Sequence, residues 1–306
     1  MNRWFSAKML WLTCAMGMAL STVAQAQQVL RRTEHLDSDH PEAWAMNYFT
    51  SVALFTGLGV PRARDPGSLE LGLEVDWMPK LSKSMKRVGF NGLKEEDLNK
   101  APVLIRPRLT IGLPWQFALS FSYLPSVTVF GVTPDLFAFA LERPVYEGPF
   151  FTLGARAYGQ IGNVKGAFTC PGEVAHFPPG SAHNPFGCER KSSDKATQRY
   201  GGLEVSASYR FARLPGVEPY LSFAGNFLDN EFHVHALTFG NKDRTRLVNE
   251  TWTFSASAGV VYALTERMNL SLGVFYTPLW VTRPPETSSE SNSLFNVRSM
   301  ITYRFF

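Results

Sequence analysis

The feature that most constrains this chain is a set of long segments in which apolar and polar residues alternate. In residues 251–264, Trp252, Phe254, Ala256, Ala258, Val260, Tyr262 and Leu264 share one parity, and Thr251, Thr253, Ser255, Ser257 and Gly259 the other. Residues 269–280 repeat the device, with Leu270, Leu272, Val274, Tyr276 and Trp280 against Asn269, Ser271, Gly273 and Thr277. Residues 69–77 do the same, with Leu69, Leu71, Leu73, Val75 and Trp77 against Glu70, Gly72, Glu74 and Asp76. A period of two is that of a β-strand with two different faces. Strands in soluble domains are usually about 5–6 residues long. A strand that crosses a bilayer needs about 9–11 residues, and these segments are of that length.

Ten such strands are predicted, at about 68–77, 102–113, 116–129, 136–146, 150–162, 198–211, 218–236, 250–264, 268–280 and 293–305. The spacers between them alternate in length. Pro114-Trp115, Glu147-Gly148-Pro149, residues 213–217 and Thr265-Glu266-Arg267 are short, and each follows an even-numbered strand. The others are longer, 163–197 above all. Transmembrane barrels keep short turns on one side and long loops on the other, with an even number of strands. An antiparallel transmembrane β-barrel with both barrel ends on the short-turn side is therefore expected.

The last predicted strand alternates Phe295, Val297, Ile301, Tyr303 and Phe305 and stops at Phe306. It resembles the terminal strand of bacterial outer-membrane β-barrel proteins, in which an aromatic residue closes the chain. The resemblance covers the architecture of residues 68–306 and does not extend to a subfamily. It differs in one respect, since the in-phase aromatic is Phe305 and Phe306 is extra. It implies an integral outer-membrane protein embedded in lipid. It also implies that Tyr303, Phe305 and Phe306 form a signal read by the barrel-assembly machinery, with periplasmic chaperones acting earlier.

The N-terminus fits export. Arg3 and Lys8 precede an uncharged apolar run, Met9–Leu20, and Ala24-Gln25-Ala26 is a small-residue cleavage box. Residues 1–26 therefore read as a signal peptide, with Gln27 the first mature residue. The apolar run is too short for a comfortable membrane span. A net charge of +4 with no basic run is not the balance of a nucleic-acid-binding protein. Cys170 and Cys188 flank a Pro- and Gly-rich segment and are expected to pair in an oxidising compartment.

Parity assigns the charged residues. Glu70, Glu74, Asp76, Arg106, Arg108, Glu142, Arg156, Glu204, Arg210, Arg298 and Arg304 all fall opposite the apolar face, and so point inward. A charge facing lipid at mid-depth would cost roughly 2–4 kcal/mol. A ten-strand barrel is little wider than the eight-strand size whose side chains fill it. The five acids and six arginines are thus expected to pair across the barrel and fill the lumen, leaving a structural or surface-interaction role. The alternative is a narrow, porin-like polar path for a small solute.

Residues 27–67 do not alternate and are read as a periplasmic or plug segment. Asp39 as cap and Pro41 in the first turn point to a helix over 41–56, although Tyr48–Phe55 also has strand character. For catalysis, the best cluster is Glu231, His233 and His235 at the outer end of the seventh strand, with Asp76 far round the barrel. Omptin-type proteases and lipid-acting hydrolases are outer-membrane barrels as well, but the paired acids and acid–histidine pattern of omptins are not reproduced. No enzyme is expected, with an omptin-like or lipid-acting hydrolase as the alternative. His233 and His235 lack a clear third metal ligand, and no cofactor motif is present.

Overall fold

A computed structural model of the chain describes residues 28–305. The signal peptide with its Gln27 start, and Phe306, lie outside the described residues. The ten alternating segments form ten antiparallel strands: β1 (Leu69–Trp77), β2 (Val103–Gly112), β3 (Ala118–Leu124), β4 (Val132–Glu147), β5 (Phe151–Gly166), β6 (Asp194–Tyr209), β7 (Val217–His233), β8 (Arg246–Ala263), β9 (Met268–Thr277) and β10 (Leu294–Arg304). Each pairs with its neighbours in sequence, and β10 pairs with β1, so the sheet closes. Closure removes sheet edges, which hydrocarbon cannot solvate. The Phe305 N–H donates to the Leu69 carbonyl at 2.9 Å, which ties the two ends of the barrel together.

The two faces separate as the alternation requires. Leu71, Leu73, Phe223, Phe254 and Leu272 point out and are exposed, while Glu74, Arg106, Ser222 and Arg298 point in and are buried. Exposed aromatics lie towards both ends of the barrel, Trp77 and Trp252 at one and Tyr146 and Tyr262 at the other. An apolar band bounded by aromatic girdles is what a bilayer demands of a barrel. We call the end with the short turns periplasmic and the end with the long loops outer.

Residues 28–67 run through the barrel. Thr33–His35 pairs in parallel with Arg246–Val248 at the outer end of β8. The chain then turns into the lumen as a helix, α1 (Pro41–Val52). Trp44, Tyr48 and Val52 of α1 pack with Leu228 of β7, Phe275 of β9 and Leu294 of β10. A helix apolar on most sides needs such enclosure. The chain continues down to Arg62, which pairs with Glu147 (3.0 Å) and Glu218 near the periplasmic turns.

Two details of the helix differ from expectation. His40, not Asp39, occupies the N-cap, and it makes no side-chain cap bond. The Asp39 carboxylate instead accepts from the Thr282 hydroxyl at 2.7 Å, which ties the helix entrance to an outer loop. The helix ends at Val52 rather than at 56, because the carbonyls from Ser51 onward are taken by wall side chains.

Candidate functional site

Just below α1, the barrel wall grips the plug by its backbone. Arg298 of β10 donates to the carbonyls of Ser51 (3.3 Å), Val52 (3.0 Å) and Leu54 (3.0 Å). Arg106 of β2 donates to Ala53 O at 2.9 Å, and Arg108 to Thr56 O at 2.9 Å. Tyr200 of β6 donates its hydroxyl to Ala53 O and accepts from the Phe55 N–H, both at 2.8 Å. The last carbonyls of a helix have no partner in the helix, and its C-terminus carries partial negative charge. The helix has no basic residue in its own last turn, and three wall arginines supply that charge. Two of them, Arg106 and Arg108, also stack over the Phe55 ring at 5.0 and 4.1 Å.

Acids hold these arginines in place. Glu74 of β1 accepts from Arg106 (3.1 and 3.2 Å) and from Arg108. Asp76 lies 3.6 Å from both Arg106 and Arg298. On the opposite wall Arg156 of β5 bridges Glu142 (2.7 Å) and Glu204 (3.0 Å), and Glu204 also accepts from the Gly57 N–H at 2.9 Å. A Cβ on Gly57 would sit 1.9 Å from the Arg156 guanidinium, so only glycine lets the plug pass that close. Gly154 makes room in the same way, since a Cβ there would meet Pro61 at 2.5 Å.

The arrangement departs from the expected pairing across the barrel. The ion pairs join adjacent strands, in one group on β1, β2 and β10 and another on β4, β5 and β6. The axis between them belongs to the plug. Glu70 pairs with Arg64 of the plug tail at 2.8 Å. Arg210 and Arg304 stand apart from both groups: Arg210 donates to Gly148 O at 2.7 Å beside a periplasmic turn, and Arg304 is exposed at the end of β10. Parity predicts direction but not depth, and these two lie beyond the lumen. Arg62, Arg64 and Tyr200 were missed, because the lumen partners of a segment without alternation leave no periodic signal.

Above the clamp the lumen is open and mostly apolar. A cavity of about 780 Å³ lies between one face of α1 (Ala45, Met46 and Phe49), with Ala53 just beyond it, and the outer halves of β2 to β8. Leu136, Val164 and Phe232 line its wall. Phe90 covers it from the β1–β2 loop and stacks on Phe186 of the β5–β6 loop, with ring centroids 5.3 Å apart. That second loop is stapled by the Cys170–Cys188 disulfide. Polar residues gather at the mouth. His40 lies 2.8 Å from Glu42, whose hydrogen bond raises the imidazole pKa above its ordinary value. Burial pushes the Glu96 carboxyl up to about 8, although Lys94 lies at 3.0 Å.

At the outer rim, His233 Nε2 lies 3.1 Å from Glu231, which also pairs with Arg246 (2.7 Å) and Arg199. Asp76 is not near this cluster, being enclosed with Arg106 and Arg298. Among the described residues, no group of three His, Cys, Asp or Glu side chains is placed to hold a metal ion.

The closed barrel with a lipid-facing apolar band is that of an integral outer-membrane protein. No protein-family model matches the sequence, and no curated protein matches it. Among solved structures it is similar to the outer membrane protease OmpT from Escherichia coli, at 11% identity over 78% of this chain and 94% of that one, TM-score 0.38. It is similar to Ail of Yersinia pestis at 9% identity over 79% of this chain and 100% of that one, TM-score 0.31. The toluene transporter TodX of Pseudomonas putida is 12% identical over 91% of this chain and 78% of that one, TM-score 0.32. These are all outer-membrane barrels, and likeness at this level carries nothing about function.

Proposed function

We propose that this barrel binds small uncharged apolar molecules on the outer side of the membrane and moves them inward, with no catalytic step. The observation that carries this reading is the cavity. Its volume of about 780 Å³ lies within the ~300–1,000 Å³ range of small-molecule pockets. Its walls are chiefly Leu, Val, Phe and Met side chains, with charged groups kept to the mouth. An ion or sugar would find few partners there, and burying unpaired polar groups is costly. A hydrocarbon-like molecule loses nothing by entering. This reading replaces the polar path of the sequence analysis, because the inward charges sit below the cavity and are engaged with the plug.

The test is equilibrium binding of N-phenyl-naphthylamine, an uncharged dye that fluoresces in apolar surroundings, to the protein in amphipol with empty amphipol subtracted. Saturable binding displaced by decane is expected. Ala45→Phe, which puts a ring into the cavity, should weaken it. Absence of saturable binding to the wild type would refute the reading.

A further inference from the structure

The ladder between β2 and β3 is incomplete. It joins Leu109–Gly112 to Ala118–Phe121 and stops there. Among the described residues, Val103–Arg108 have no ladder partner on the β3 side, although they pair fully with β1 on the other. β3 remains paired with β4 through Leu124. The outer half of this seam is therefore not zipped.

The sequence removes two of the donors that would zip it. Backbone groups of successive strand residues point to opposite neighbours. Gly112 bonds to Ser68 on the β1 side and Leu113 to Phe117 on the β3 side, so on β2 the odd-numbered residues address β3. Extending the observed register would set Pro107 opposite Tyr123 and Ile105 opposite Pro125. Proline has no N–H. Each facing edge thus carries a proline where a ladder donor is needed.

The opening connects two apolar spaces. The cavity is lined by Leu104 and Leu124, which point inward, and also by Ile105 and Val127 at the exposed face. It therefore wraps around the strand edges. Ile105 lies level with Val75 and Pro107 with Leu73, inside the lipid-facing band, with Trp77 marking its outer border. Downward passage is blocked, because the clamp of Arg106, Arg108 and Arg298 on residues 51–56 floors the cavity.

We propose that the β2–β3 seam is a lateral portal, through which an uncharged apolar molecule held in the cavity passes into the hydrocarbon of the outer leaflet. The proposal rests on the cavity reading above. An apolar molecule leaving sideways never meets the charged clamp, and the plug need not move.

The test uses cells with an intact lipopolysaccharide leaflet, which excludes N-phenyl-naphthylamine, so that fluorescence reports dye reaching phospholipid. Pro107→Cys with Tyr123→Cys places two thiols on facing outward positions, and a short bismaleimide bridges them; Cys170 and Cys188 are already paired with each other. Heat-modifiable gel mobility confirms folding. Bridging should reduce dye uptake to that of cells lacking the barrel, while dye binding by the purified protein is retained. Pro107→Val, which restores a donor without any reagent, should slow uptake in the same direction. Undiminished uptake by the bridged barrel, with binding intact, would overturn the portal and leave the cavity reading standing. Loss of binding in the wild type would overturn the cavity reading and the portal with it.

Discussion

Two seams of the same barrel stand in contrast. The β7–β8 seam pairs every residue from Val217 to His233 without a break. The β2–β3 seam pairs four residues and opens. Both lie in the same apolar band, where an unsatisfied backbone group costs several kcal/mol. The long seam meets that cost with an unbroken ladder. The short one avoids part of it by omitting donors at Pro107 and Pro125 and by backing the opening with an apolar cavity. Continuity is thus a local property of each seam, and a barrel can be sealed as a whole yet leave one wall incomplete.

The comparison can be broken most severely at the long seam. Ala224→Pro puts a proline into the β7–β8 ladder, where Ala224 pairs with Ser255. It should cost several kcal/mol and abolish the folded, heat-modifiable form on a denaturing gel. Equal amounts of folded protein would show that this seam, too, tolerates a missing donor.

Next in size is the floor beneath the cavity. Arg298→Ala removes bonds to the Ser51, Val52 and Leu54 carbonyls and leaves Asp76 with less compensation. Removing one partner of a buried charged set costs about 3–5 kcal/mol, so the urea unfolding midpoint should fall clearly. The variant should also conduct ions in planar bilayers where the wild type does not, since the plug loses its main grip. Unchanged stability with unchanged conductance would mean that the clamp does not close the lumen.

Pro107→Val sharpens the comparison from the other side. It adds a donor but also frees the unfolded chain, and these terms are each about 1 kcal/mol and opposed. Stability should stay within about 1 kcal/mol of wild type while dye uptake slows. A large loss of stability would show that the proline is needed for folding itself.

A separate effect concerns pH at the mouth. Burial raises Glu96 from 4.5 to about 8, so between those values the folded state binds the proton more tightly than the unfolded one. Its contribution to stability is therefore largest below 4.5 and declines as pH rises towards about 8. Glu96→Gln should flatten the dependence of the thermal midpoint on pH over that window, and an unchanged slope would remove Glu96 as its source. His40, also raised, acts in the same direction: its contribution is present below 6.5 and is lost as pH rises through its folded value.

Much of the barrel is legible in the sequence. Thr253 and Phe254, or Glu74 and Val75, declare their faces by parity alone, because lipid and lumen impose opposite polarity on successive residues. All ten strands and their order came from that pattern, and so did the inward direction of Glu74, Arg106, Arg156 and Arg298. Parity could not say which charges meet, and the pairing expected across the barrel became pairing between neighbouring strands. Nor could it reveal that Arg298 spends its donors on plug carbonyls, since a carbonyl has no identity in sequence.

The sequence by itself determined the strands and their faces, because a period of two is read within a single strand. Only the tertiary structure decided that residues 28–67 thread the lumen, that the arginines clamp them, and that a cavity remains above. Pro107 and Pro125 were visible throughout, but a missing donor matters only when it faces another edge. Which edges face each other is set by register between strands and by closure of the whole sheet, and no local pattern encodes it.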